Sequence, residues 1–390
     1  MSDRPHLMIP GPVDLPDSVR AASGAPARSH LSPTFVDSFG DALRRTRVLF
    51  GAPSGQPFIL AGSGTLAMEA AAANLIETGD AVLVISTGVF GDRFAAIAER
   101  LGAEAHVLRA EAGETVSFDA VAAALERHAV KVVTVTHVDT STGVRCDPAP
   151  IAALARDHGA LTILDGVCSV GGEPLAQESW GIDLALTASQ KALAAPAGLA
   201  LLVASPEALD AWSRRRTPVR SYYVDWGNWL PIMEGYEAGT PGYFGTPAVG
   251  LVAALAESLS LAVEEGLDRR MERHRLLGAA CRAALHALDV SIVPVREEIA
   301  ASTLTCAFLP EGIELGALLP AVRAAGAVIA GGLHPKIRTR SFRIGHMGAV
   351  DRGILADTVA AVEEGLAACG HPVRRGTARR ALAEVFDEAA

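Results

Sequence analysis

Residues 186–202, "LTASQKALAAPAGLALL", carry a single lysine, Lys191, in an apolar, glycine- and alanine-rich setting. The run Ile182–Thr187 before it reads as a short buried strand, and Leu199–Val203 after it as another. Between them Pro196 and Gly198 interrupt regular structure. A lysine held among apolar groups loses hydration of its charged form, so its pKa falls and its amine becomes a nucleophile. A lysine whose head reaches the surface over an apolar stem is the bland alternative. The surrounding chain has to choose between the two.

Working outward, residues 55–205 alternate short β-rich runs with longer helical ones. "AVLVIS" (81–86) precedes "GDRFAAIAERLG", and "KVVTVT" (131–136) precedes "PAPIAALARDHG" and then "LTILD" (161–165). Strand, helix, strand at this spacing predicts a wound α/β layer with a mostly parallel sheet. Ligands of such sheets lie beyond the carboxyl ends of the strands. That rule selects His137–Thr142, Asp165 and Ser189–Lys191.

Asp165 closes an apolar strand and opens "DGVCSVGG" (165–172), where glycines let backbone approach closely. A carboxylate and a lysine at one sheet edge suit pyridoxal phosphate: the lysine forms the Schiff base and the carboxylate keeps the ring nitrogen protonated. A structural Asp–Lys ion pair fits these two residues equally well. "AGSGTLAMEAAAANLI" (61–76) places Ser63, Gly64 and Thr65 at the start of an alanine-rich helix. Such a start is either a phosphate cradle or an ordinary N-cap. Phe90, in "STGVFGDRF", can stack on an aromatic ring, and Thr140 and Ser141, in "THVDTSTG", can hold polar cofactor atoms or simply form a turn. Arg343, in "SFRIGHMG", lies in an apolar run and needs an anion, either a substrate carboxylate or a structural acid.

The composition is compatible with a large buried sheet or subunit interface: 390 residues, 50% hydrophobic and 20% charged. A net charge of −10 argues against a nucleic-acid surface. The cluster Arg214–Arg216 reads as a solvated face or a local anion contact. Cys146, Cys168, Cys281, Cys306 and Cys369 form neither a disulfide framework nor a metal motif, which points to a reducing, cytoplasmic compartment and no metal. No stretch reads as a signal peptide or a membrane span. Residues 219–249 hold all four tyrosines and two of the four tryptophans with little periodicity, and read as a subunit contact. Beyond them, "VSIVPV", "TLTCAFL", "AVIAGG" and "SFRIG" read as strands among helices, with a polar, peripheral tail from His371.

Seven stretches taken together resemble the alanine–glyoxylate aminotransferases of the class V pyridoxal-phosphate enzymes, especially their fungal branch. They are "LAGSGTLAMEA", "VISTGVFGDRFA", "VTVTHVDTSTGV", "DGVCSVGG", "WGIDLALTASQKALAAPAGL", "PIMEGYEAGTPGYFGTP" and "AVIAGGLHPKIRTRSFRIGHMG". The resemblance runs from "IPGPVDLP" to "RIGHMG". It implies the fold-type I transferase architecture: a large α/β domain over 1–264, with an amino-terminal segment 1–35 near the active-site entrance, and a small α+β domain over 265–390. It implies Lys191 as the catalytic Schiff-base lysine, Asp165 on the pyridine nitrogen, and Phe90 stacked on the ring. Ser63, Gly64, Thr65 and Gln190 would hold the phosphate, with Thr140 on the ring. It further implies a homodimer in which Tyr243 and Thr246 of the neighbouring chain complete the phosphate site. Arg343 would clamp the substrate carboxylate and His30, in "RSHLSP", would line the entrance.

The implied activity passes an amino group from L-alanine to glyoxylate by a ping-pong scheme, with amino acids and 2-oxo acids as the partners. Serine–glyoxylate, serine–pyruvate, aminoethylphosphonate–pyruvate and pyridoxamine–pyruvate aminotransferases share much of the pattern. A cysteine desulfurase would need a mobile reactive cysteine, and Cys306 sits in a strand-like run instead. A cofactor-binding regulator of transcription would need a DNA-binding domain and a basic face, and neither is evident.

Overall fold

Aliphatic runs bounded by turns build one seven-stranded sheet in the computed structural model, which describes residues 4–389. Its strands are β1 (Gln56–Ala61), β2 (Ala81–Ser86), β3 (Glu104–Arg109), β4 (Val130–Thr136), β5 (Leu161–Asp165), β6 (Leu184–Ala188) and β7 (Leu199–Ala204). They lie in the order β1-β7-β6-β5-β4-β2-β3. Strands β3, β2, β4, β5 and β6 are parallel, while β7 runs antiparallel to both β6 and β1. Helices cover the sheet, as parallel strands buried on both faces require, and so β6 and β7 are buried along their whole length. The strand before Lys191 begins at Leu184 rather than Ile182: Asp183 N still donates to Thr162 O at 3.1 Å, but Thr162 N bonds at 2.7 Å to the Asp183 carboxylate instead of a backbone oxygen.

A smaller antiparallel sheet in the carboxyl-terminal third contains β8 (Leu304–Phe308), β9 (Ala330–Gly331) and β10 (Ser341–Gly345), in the order β8-β10-β9. Two expected strands depart from the sequence reading. "VSIVPV" makes only an isolated bridge, Ile292 to Ala307, and after Pro294, which has no N–H to donate, Val295 N bonds instead to Gly113 O. "AVIAGG" splits, Ala327–Val328 pairing in parallel with His6–Leu7 while β9 joins the small sheet.

The tail is also unlike its expected form. Thr377–Glu388 is a helix that buries Ala378 and Leu382 against helix Leu267–His286. The Glu363 carboxylate accepts from Gly376 N and Ala378 N at its start. Four residues apart on one face, those two apolar side chains outweigh a mostly polar composition. Residues 219–249 likewise contain a helix, Trp226–Glu237, despite Pro231 inside it. Trp226, Trp229 and Tyr236 are core residues, whereas Tyr222, Tyr223 and Tyr243 are exposed.

One buried core runs from Val19 to Leu259 around the large sheet, and a second joins Met8 to residues between Leu277 and Leu382. Between them a third cluster, including Val13, Cys168, Ala192, Cys306 and Met347, seals the seam. None of the described helices is long and apolar enough to cross a membrane.

Candidate active site

Everything chemical at this seam starts from the ends of β4, β5 and β6. Lys191 follows β6 in a turn whose carbonyl accepts from Ala194 N at 2.8 Å. The turn is pinned from the far side. Arg270 Nη2 donates to Ala192 O at 2.6 Å and its Nε to Gly171 O at 2.9 Å, while Ser258 Oγ donates to Leu193 O. Lys191 Nζ donates to Pro10 O, and no carboxylate pairs with it among the described residues. The segment Pro10–Gly11 crosses directly over the amine. Gly11 (φ +101°) has no room for a side chain, since a Cβ there would fall 2.6 Å from Lys191 Cδ.

Asp165 ends β5 almost fully buried, one oxygen accepting from Val167 N at 3.0 Å. Burial pushes its carboxyl up to about 6; the nearby Asp139 adds to this, and the charges of Arg93 and Lys191 oppose it. The simple ion pair is therefore not what forms. Asp165 and Lys191 sense each other's charge without a hydrogen bond between them.

Asp139 and Ser141, inside the strand-end stretch His137–Thr142, set the position of Phe90. Asp139 Oδ2 accepts from Phe90 N at 2.9 Å and Ser141 Oγ from Val89 N at 3.1 Å, satisfying the free N–H groups at the start of helix Val89–Arg100. Gly88 allows this approach: a Cβ there would sit 2.4 Å from Ser141 Oγ. The signal in the sequence was an Asp two residues before a Ser, which also describes any turn. Arg93, one turn beyond Phe90, holds its guanidinium 4.6 Å from the Phe90 ring centre and donates to Thr65 Oγ1 at 2.9 Å.

Thr65 lies in the first turn of helix Gly64–Leu75, whose N-cap Ser63 is extended and makes no side-chain cap bond. The ordinary capping role is thus not taken, and the Ser63 hydroxyl is left for another acceptor or donor. Gly64 packs on Val167 of the Asp165 turn, with 2.8 Å between its Cβ position and Val167 Cγ2. Gly62 N bonds to Gly198 O at 2.8 Å, which brings the helix start beside the Lys191 turn. Gln190 Oε1 is buried with no partner.

Across the seam, Arg343 on β10 is half-buried; its Nε donates to Gly331 O at 2.8 Å and Nη1 contacts Thr140 O at 3.4 Å. It has no acid partner among the described residues, and burial lowers its pKa. The structural salt bridge considered for it does not form. Cys306 beside it is buried in β8, and burial raises its thiol pKa far above the usual range. It is not the exposed thiolate that desulfuration needs.

The sequence-selected residues fall into two groups. Lys191, Gln190, Asp165, Ser63, Gly64, Thr65, Phe90, Thr140 and Arg343 converge through the contacts above. His30, Tyr243 and Thr246 gather elsewhere: the His30 and Tyr243 rings are 5.6 Å apart and Tyr243 Oη lies 3.5 Å from Thr246 Oγ1. No contact joins this second trio to Lys191 among the described residues. No cluster of three or more metal-ligating side chains occurs among the described residues. An amine, a buried carboxyl, unclaimed helix N–H groups and a guanidinium with no acid partner among the described residues fit pyridoxal phosphate and a carboxylate-bearing substrate.

Fold and site together define a pyridoxal-phosphate enzyme of the wound α/β type. The chain belongs to the class V aminotransferases, whose family description, "Aminotransferase class-V", matches residues 19–346. It is 39% identical over 355 residues to alanine–glyoxylate aminotransferase 1 of Saccharomyces cerevisiae, covering 88% of this chain and 91% of that one. Serine–glyoxylate aminotransferase of Hyphomicrobium methylovorum is 33% identical, over 100% of this chain and 96% of its own. The solved structure of pyridoxamine–pyruvate aminotransferase from Mesorhizobium loti superposes with a TM-score of 0.93 at 28% identity, covering 100% of this chain and 98% of that chain. The protein is therefore a pyridoxal-phosphate-dependent aminotransferase, and its relatives differ in the amino donor they use.

Proposed function

We propose that this aminotransferase passes the amino group of L-alanine to glyoxylate, releasing pyruvate and glycine in two alternating half-reactions. The observation that carries the reading is Arg343, a half-buried cation with no acid partner among the described residues, facing the seam beside Thr140. Its free donors suit the carboxylate that alanine, pyruvate, glyoxylate and glycine share. The similarity to the yeast alanine–glyoxylate enzyme supports alanine as donor.

Pyridoxal phosphate, when bound, supplies the electron sink and carries the amino group between the half-reactions. Lys191 Nζ takes the proton from the α-carbon of the amino acid as a general base and later returns one as a general acid. The Asp165 carboxylate holds a proton on the ring nitrogen, and Phe90 offers its ring as an apolar face. Ser63, Gly64, Thr65 and Gln190 receive the phosphate, and Thr140 borders the ring.

A homodimer completes the site, with Tyr243 of the partner subunit and Thr246 of the partner subunit reaching the phosphate and His30 lining the entrance. The 67% exposure of Tyr243 in a single chain supports this arrangement. The five cysteines are all unpaired, which supports a reducing, cytoplasmic setting.

The test is the visible absorption of the purified protein after L-alanine and then after glyoxylate. Bleaching followed by recovery of the cofactor band fixes the pair. A band that responds to L-serine and not to L-alanine replaces the donor and leaves the site standing.

A further inference from the structure

A phosphate ester carries close to two negative charges at neutral pH. The groups assigned to receive it, Ser63, Gly64, Thr65 and Gln190, are all neutral. Among the described residues the cation that bonds this cradle is Arg93, through Thr65 Oγ1 at 2.9 Å. Arg93 stands three residues after Phe90, on the same face of helix Val89–Arg100, with its guanidinium over the Phe90 ring. No carboxylate pairs with it among the described residues, whereas the neighbouring Asp92 is engaged by Arg109 and Ser86.

The bond to Thr65 has a direction. A hydroxyl has one hydrogen and two lone pairs. Since Thr65 Oγ1 accepts from Arg93, its own hydrogen is free for a second acceptor. Arg93 thus brings positive charge to the cradle and turns the Thr65 hydroxyl into a donor toward an anion.

We propose that Arg93 is the counter-charge of the cofactor phosphate and makes the site select phosphorylated over unphosphorylated pyridoxal compounds. The proposal rests on reading residues 63–65 as the phosphate cradle. It also sets an expectation for donors: pyridoxamine, which has no phosphate, gains nothing from Arg93.

The competing role is a brace that only steadies the Phe90 ring, and a brace would serve both forms of the cofactor alike. The experiment titrates the full-length chain, stripped of cofactor, with pyridoxal phosphate and separately with pyridoxal, reading the bound visible band. The proteins compared are wild type, Arg93→Gln, Arg93→Lys and Ser63→Ala. Using the ratio of the two affinities cancels the effect that Arg93 has on the Asp165 carboxyl, which both compounds meet equally.

Arg93→Gln should lower affinity for pyridoxal phosphate by about tenfold to a hundredfold, the range of a charge-assisted hydrogen bond, with pyridoxal little changed. Arg93→Lys should keep most of the preference. Equal loss for both compounds in Arg93→Gln, or an unchanged ratio, overturns the proposal. If Ser63→Ala reduces the ratio while Arg93→Gln does not, the cradle stands and Arg93 falls. If neither changes it, the cradle assignment fails as well.

Discussion

The wall of the cleft made by the strand ends and the face made by Tyr222, Tyr223 and Tyr243 are built on opposite terms. At the strand ends several buried polar groups are held by partners of the same chain: Asp139 by Phe90 and Ser141, Asp165 by Val167, and the Lys191 turn by Arg270 and Ser258. On the other face large aromatic side chains stand exposed at 76%, 39% and 67%. They touch Trp229, Phe244, His30 and Thr246, and Tyr223 Oη donates to Ala61 O at 3.4 Å, yet they leave apolar area open to water. One wall is held together largely within the chain, and the other presents open aromatic area.

The largest effects are expected at the strand ends. Lys191→Ala should cut turnover by at least about a thousandfold through loss of the acid–base amine, with the thermal transition kept. Ordinary transamination by that variant would remove Lys191 from the chemistry. Arg343→Ala comes next: kcat/KM for alanine should fall about a hundredfold, as expected when a bidentate charged contact is lost. An unchanged KM would show that the carboxylate is held elsewhere.

Asp165 gives a pH signature. Its carboxyl titrates near 6 when buried, well above an ordinary aspartate, so it is ionised at pH 7 and becomes protonated as the pH falls through that value. Affinity for pyridoxal phosphate should therefore hold above pH 7 and drop by about tenfold by pH 5, a dependence absent from Asp165→Asn. Stability runs the other way. A carboxyl whose folded pKa is raised above its unfolded value costs stability once ionised, by about 3 kcal/mol for this displacement. Cofactor-free Asp165→Asn should thus melt higher than wild type at pH 7 and lose that advantage below pH 4.

The open face gives the smallest effect. Tyr243→Phe should weaken cofactor binding only several-fold, the size of one hydrogen bond. Mixing Tyr243→Phe with Lys191→Ala chains should then form hybrid dimers containing one site with an intact lysine. If mixing never raises turnover above the sum of the separate proteins, sites are not shared between subunits.

Much of the strand-end wall could be read in the sequence because its signals are local. Strand runs at 81–86 and 161–165 match the observed strands residue for residue, and the rule that ligands gather at strand ends leads to Asp165 and Lys191. That rule reaches Asp139 as well but not what it holds, and Arg93 and Arg270 could not be found that way. Each acts on a partner from 28 to 78 residues away in sequence, and nothing in the local pattern announces it. Helix Trp226–Glu237 was hidden for a different reason: Pro231 and three half-polar aromatics mask its period, and packing of Trp226 on Phe58 decides the matter instead. The tail helix was hidden by composition, since the contact of Ala378 and Leu382 is supplied by another helix.

The amino-terminal strand has a mechanical meaning beyond its role as a cover. His6–Leu7 is laced to Ala327–Val328, Met8 O accepts from Gly345 N at the end of β10, and three residues later Gly11 lies on the Lys191 stem. The same short tether is thus anchored in the small sheet at one end and touches the reactive amine at the other. The strand of Arg343 and the stem of Lys191 are thereby linked through a run of six residues, His6 to Gly11.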